Sequence, residues 1–354
     1  MAAVAVVVFV AGLAAGAWLS RPTPVATAIA FAGQQVQGLN EDGVVVWTYE
    51  FDGDVTRAPG PRPTAVDIEG DGRTEWLVGV RFNTEAGQPQ ASDGLYCFTQ
   101  TGELKWALRP DQNLTYPDRT MSAPWVMADV AVAAGTPRRV WAAFAHHTGG
   151  SSFVLEVDGA GRSTLRYVQF GRIYSVAHWM TPSGGFLAVG GASDEHRRAT
   201  VALMPDTDPP ASYPIDDPTR SSCRECPPAV PRRVYLFPDS ELTVASHLLH
   251  PYVANITTVG PTLKVAALQG EGRSQLFLGP DFSITAFDFT QDYWGAHRDL
   301  EQKGRLDHPA EACPDRTSIM VFHGWTREHG WQRWGISPGG KAGPARLLHD
   351  DDEA

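Results

Sequence analysis

Four carboxylates crowd into one short stretch, Asp67-Ile68-Glu69-Gly70-Asp71-Gly72-Arg73-Thr74-Glu75, and so dense a run of oxygen donors is the chemistry of a hard cation. Ca2+ takes about six to eight oxygens, from carboxylates, backbone carbonyls and water. Asp67, Glu69 and Asp71 alternate along a tight turn, Glu75 follows four residues later, and Gly70 and Gly72 let the backbone bend toward an ion. The carbonyl of Arg73 completes the expected set. The predicted ligands of one structural Ca2+ are therefore Asp67, Glu69, Asp71, Arg73 and Glu75; the competing reading is a solvated acidic turn without metal.

The flanks say what must position this loop. Pro63 to Val66 before it and Trp76 to Val80 after it are short, apolar and β-prone, so the loop joins two strands. An EF-hand would need helices there and a Glu at its twelfth position, where this chain has Val78. The stretch from Ala65 to Glu75 resembles the FG-GAP/VCBS repeat of integrin-like β-propellers, in which a strand, an Asp-rich loop and a second strand open each blade. The resemblance implies the same five calcium ligands, with Glu69 standing where the family usually has Asp or Asn.

Repeats point the same way. Val36 to Gly43 runs on to Trp47 and Leu95 to Gly102 runs on to Trp106, each a strand, a glycine turn and a strand. The turn glycines are 102 − 43 = 59 residues apart, and a further 59 lands on Gly161, with Leu165 in the tryptophan position. Ala267, Gln269, Glu271 and Gln275 read as a degraded copy of the acid loop, and Ala128-Asp129-Val130 as a poorer echo. Such repeats predict an all-β chain: a β-propeller of about six or seven four-stranded blades. The expected closure joins strands at 28–36 and 44–51 to strands at 318–322 and 331–336. Pro205 to Pro231 is expected to form a long loop between blades.

With 354 residues and 43% hydrophobic content the chain has ample material for a large core. Its formal charge of −11 argues against a nucleic-acid partner. Met1 to Leu19 has no charged side chain and as a helix would span about 28 Å, close to a bilayer core. A retained transmembrane helix is expected, with a cleaved signal or a buried helix as alternatives. The domains expected are an anchor or signal at 1–20, a linker at 21–27, the propeller at 28–345 and an acidic disordered tail at 346–354. The propeller then lies on the extracytoplasmic side, periplasmic or at the cell surface.

Other clusters carry weaker chemistry. Cys223-Arg224-Glu225-Cys226 sits among prolines, which fits a local disulfide or free thiols better than a redox helix. A zinc site would need two more ligands, and only Cys313 and scattered histidines are available. His146-His147 could line the mouth of a channel, while Pro251 ends any helix carrying His247 and His250. No nucleophile elbow, Walker loop or dinucleotide fingerprint occurs. The expected function is an exported, membrane-anchored module that binds a protein or carbohydrate ligand. The alternatives are a channel-site hydrolase or quinoprotein-like oxidoreductase, and the sensor end of a receptor.

Overall fold

The computed structural model describes residues 25–83, 91–135, 137–246, 250–337 and the backbone of 346–347. The anchor or signal expected at 1–20, the first part of the linker and His247 lie outside the described residues. Among the described residues no helix is long and apolar enough to cross a membrane.

The chain is mostly β, and its strands fall into a series of antiparallel meanders. An N-terminal sheet holds Ala28–Ala32, Gln35–Leu39 and Val45–Glu50. The first four-stranded meander has a first strand split into Val55–Arg57 and Thr64–Val66, followed by Glu75–Phe82, Gly94–Thr99 and Leu104–Leu108. The second is Trp125–Val132, Val140–His146, Ser152–Val157 and Ser163–Gln169. The third is Ile173–Thr181, Gly184–Ser193, Arg198–Pro205 and Arg233–Leu236. The fourth is Tyr252–Val259, Thr262–Gln269, Gly272–Leu278 and Ile284–Phe289.

The core shows how these sheets stack. One apolar cluster lies between the N-terminal sheet and the first meander, built around Trp47, Phe51, Tyr96 and Phe98. The next joins the first meander to the second through Leu77, Trp106, Trp125 and Phe153. A third joins second to third, and the largest joins third to fourth through Trp179, Phe186, Val253 and Leu276. The first three meanders thus bury both faces against their neighbours in chain order, which is the propeller-like way of removing apolar surface from water.

The 59-residue repeat is real in three dimensions. Gly43, Gly102 and Gly161 all have positive φ, at 76°, 89° and 80°, a conformation that favours glycine. Their amides donate to the carbonyls of Asn40, Thr99 and Asp158, each at 3.0 Å. The side chains of those same three residues accept from the amides of Val44, Glu103 and Arg162. Each tryptophan then reaches the next copy: Trp47 Nε1 donates to the Gln100 carbonyl and Trp106 Nε1 to the Gly159 carbonyl, both at 3.1 Å. A Cβ at Gly102 or Gly161 would come within 2.5 Å of the incoming tryptophan side chain, so glycine is required there by space as well as by φ.

Several expectations are corrected. Among the described residues five sheets take blade form, against the six or seven expected, and the closure expected from the termini is not made. Met320–Thr326 and Gly330–Ile336 instead extend the third meander, because Arg233–Leu236 leaves an edge with which Thr326 to His323 pair. Gly324 permits this hairpin by giving Trp334 room to lie across it. The stretch from Pro205 to Pro231 connects two strands of one meander, the third, and carries a Cys223–Cys226 disulfide. The degraded acid loop is also out of place: the true loop joins the first and second strands of a meander, whereas Gly270-Glu271 turns between the second and third. At the ends, Ala26 is buried within the expected linker, and Arg346 and Leu347, assigned to the tail, pair with Gly335 and Trp334.

Candidate functional site

The acid loop folds as a turn that satisfies itself. Asp67 Oδ1 accepts from the amides of Gly70 and Asp71 at 2.6 and 3.2 Å, and its Oδ2 accepts from Gly72 at 3.0 Å. Desolvation works upward on this carboxyl, but the Gly72, Gly70 and Asp71 donors and the charge of Arg138 hold it below the usual carboxylate range. Asp71 accepts the Arg73 amide at 2.8 Å. Glu75, only 3% exposed, turns one oxygen to the Ile68 amide and the other to Lys105 Nζ, at 2.9 Å. The same ammonium lies 3.0 Å from Glu69. Burial would lower the Lys105 ammonium, yet its bonds to Glu75 and Glu69 raise it overall. In this arrangement the donor set does not fit Ca2+: a lysine stands between two of the expected ligands, and no three of the carboxylates converge on one point.

A cleft of about 640 Å³ opens where the first strands of the second, third and fourth meanders run side by side, with Pro59, Gly60 and Arg81 of the first meander on its lining. Each of these three strands loses register on the lining. Ala128 is skipped between Met127 and Asp129, Tyr174 between Ile173 and Ser175, and Ala254 between Val253 and Asn255. The first meander is interrupted outright, between Arg57 and Thr64, and there Pro59 and Gly60 line the cleft. A bulge turns a strand's ladder groups and side chains away from pairing, so four interruptions at one cleft free backbone and side chains to face it. Gly60 has no alternative, since a Cβ there would overlap the Ala128 carbonyl.

Behind the bulges, polar bonds stitch the meanders together. Asp93 holds Arg81 in a two-point ion pair at 3.0 and 3.1 Å and accepts the Met127 amide from the second meander. Asp129 accepts from Val130, from the Val176 amide and from Ser175 Oγ of the third. Ser175 Oγ in turn accepts the Ile256 amide of the fourth. Burial raises the Asp129 carboxyl, and these donors oppose the rise. Arg172 differs from them. It makes no ion pair among the described residues, and its guanidinium sits 5.4 Å over Tyr174, whose ring stacks on Tyr252 at 4.1 Å. His147 also lines the cleft, as its position beside His146 suggested, whereas His146 is buried and bonded to Thr148.

A second group was missed from sequence. Glu241, His297, His308 and Cys313 are the one set of three or more His, Cys, Asp or Glu ligand atoms that gather among the described residues, all within 4.8 Å of one another. Their only signal in the chain was the unexplained Cys313 with histidines nearby.

No family model and no curated protein matches this sequence. Among solved structures the chain is similar to the major allergen Mala s 1 of Malassezia sympodialis, at 8% identity and TM-score 0.40, covering 92% of this chain and 91% of that one. It is also similar to the PQQ-bound aldose sugar dehydrogenase of Streptomyces coelicolor, at 10% identity and TM-score 0.36, covering 93% and 96%. Likeness at this level says nothing about activity, and the propeller-like description rests on the stacked sheets themselves.

Proposed function

We propose that this chain is an exported, membrane-anchored, propeller-like binding module that receives an acidic carbohydrate in the cleft between its first strands. One observation carries the reading: three first strands break register and a fourth is interrupted at the same cleft, beside an arginine without an ion-pair partner among the described residues and a stacked tyrosine pair. Aromatic rings suit sugar faces, and a planar guanidinium suits a carboxylate. The Ala65 to Glu75 resemblance to FG-GAP/VCBS repeats and the apolar first nineteen residues support the family type and the export. Thermal-shift and calorimetric titration with uronic or aldonic acids tests this against neutral sugars. Binding of the acids is expected to weaken at least tenfold in Arg172→Ala; equal response to neutral sugars, or an unchanged Arg172→Ala, overturns it.

A channel-site enzyme is the second reading, and Asp129 is the residue that favours it, being a partly buried carboxyl raised by its surroundings at the cleft. Its Oδ2 is already bound to the third meander and its Oδ1 to the Val130 amide, so we assign it to joining the meanders. In the acid loop Lys105 supplies the cation. Calorimetry with Ca2+ separates this from a calcium loop: no heat is expected from the wild type, and a stoichiometric uptake abolished by Asp67→Ala restores calcium.

A further inference from the structure

Between the fourth meander and the last hairpin the chain leaves the sheet. Helix Gln291–Gln302 lies against helix Glu241–Ser246 and against the turn Ala310–Ala312. Such an excursion has few strand bonds to hold it, and its polar interior converges on one atom. Glu241 Oε2 faces His308 Nε2 at 2.9 Å, Cys313 Sγ at 3.0 Å and His297 Nε2 at 3.5 Å.

Two features distinguish this group from an ordinary hydrogen-bonded cluster. His297 is fully buried, yet neither ring nitrogen has a hydrogen-bond partner, a state that costs free energy unless something else engages the ring. His308, in contrast, is oriented from behind: its Nδ1 bonds Asp307 at 3.0 Å and leaves Nε2 turned inward. A carboxylate holding the far nitrogen of a histidine is the outer-shell arrangement of metal-bound imidazoles.

The geometry points to a structural zinc site formed by Glu241, His297, His308 and Cys313. One thiolate, two imidazoles and one carboxylate make a tetrahedral set suited to Zn2+ and foreign to Ca2+ or Mg2+. Bonds of about 2.0–2.3 Å place tetrahedral ligand atoms about 3.3–3.8 Å apart, so the observed group closes on an ion by small side-chain rotations. Four protein ligands leave no open position, and the ion's role is to pin both helices and the turn to the fourth meander. On binding, the Cys313 thiol releases its proton to solvent and Sγ binds as thiolate, while His297 binds as neutral imidazole.

The test uses the full chain and the metal alone. Purified protein is expected to retain one zinc per chain after dialysis. Co2+ added to metal-free protein should give the visible bands of a tetrahedral site with a near-ultraviolet thiolate charge-transfer band. Cys313→Ser should remove that band, and His308→Ala and Glu241→Gln, at partly exposed positions, should each weaken binding at least tenfold. Cys97→Ser, in the first meander, should change nothing. Folded wild type that retains no zinc and gives no tetrahedral Co2+ spectrum overturns the site, as does binding that is unchanged in Cys313→Ser and His308→Ala.

Discussion

The acid loop and the helical cluster are opposite cases. Asp67 to Glu75 has the composition of a metal site, but its charges are met by Lys105 and by backbone amides. Glu241, His297, His308 and Cys313 are scattered along the chain, but they leave a buried ring unmet and donors aimed at one point. Density of carboxylates in sequence therefore says less about metal than unmet coordination in space. In the acid loop an ammonium from the last strand of the same meander occupies the place between Glu69 and Glu75.

The largest expected effect lies in the cluster. With free Zn2+ a thousandfold above its Kd, the ion adds about 4 kcal/mol to folding. Chelation should then lower the melting temperature by about 5 °C, a shift smaller by about a third or more in Glu241→Gln; an equal response to chelator in that variant breaks the comparison. Next is Lys105→Met, which leaves the buried Glu75 without its cation and should cost about 3 kcal/mol in urea unfolding, less if solvent reaches the loop. If the loss is under about 0.5 kcal/mol, the lysine is only a surface partner. Glu75→Gln keeps the shape and should cost about 1–2 kcal/mol, with no dependence on chelator.

The smallest effect is in acid. The folded carboxyl of Asp67 is held below its unfolded value, so its contribution is present above the ordinary aspartate range and lost as pH falls through the folded value. Asp67→Asn should flatten the acid limb of the stability curve below about pH 4. An unchanged slope would mean that the turn's amides do not bind the charge.

What could be read in the chain was whatever is local or periodic. Gly43, Gly102 and Gly161 announce their turns because positive φ needs glycine, and the strands around the acid loop follow from alternation and turn residues. The repeat of Trp47 and Trp106 similarly marked the hairpins built on Gly43 and Gly102. Pairings across long separations were not legible: nothing in Arg233–Leu236 names Met320–Thr326 as its partner rather than the N-terminal strands. The cleft was hidden for a related reason, since Ala128, Tyr174 and Ala254 are bulged only by virtue of their partners' register. His297 gave no sign because Glu241, the acid on which the group converges, precedes the whole fourth meander in the chain, and Lys105 none because its acids lie on other strands of its meander, near in space but far off in sequence.

Trp47 and Trp106 each rest on the glycine of the hairpin that follows theirs in the chain, and this gives the array a direction. As the chain leaves the ribosome, Trp47 has no seat until Gly102 has emerged, and Trp106 none until Gly161 has. Each unit waits with its indole bare for its successor. Truncation from the C-terminal side should therefore strand a large apolar ring, whereas truncation from the N-terminal side uncovers little more than a glycine turn. The third copy, with Leu165 where an indole would be, is where that dependence stops.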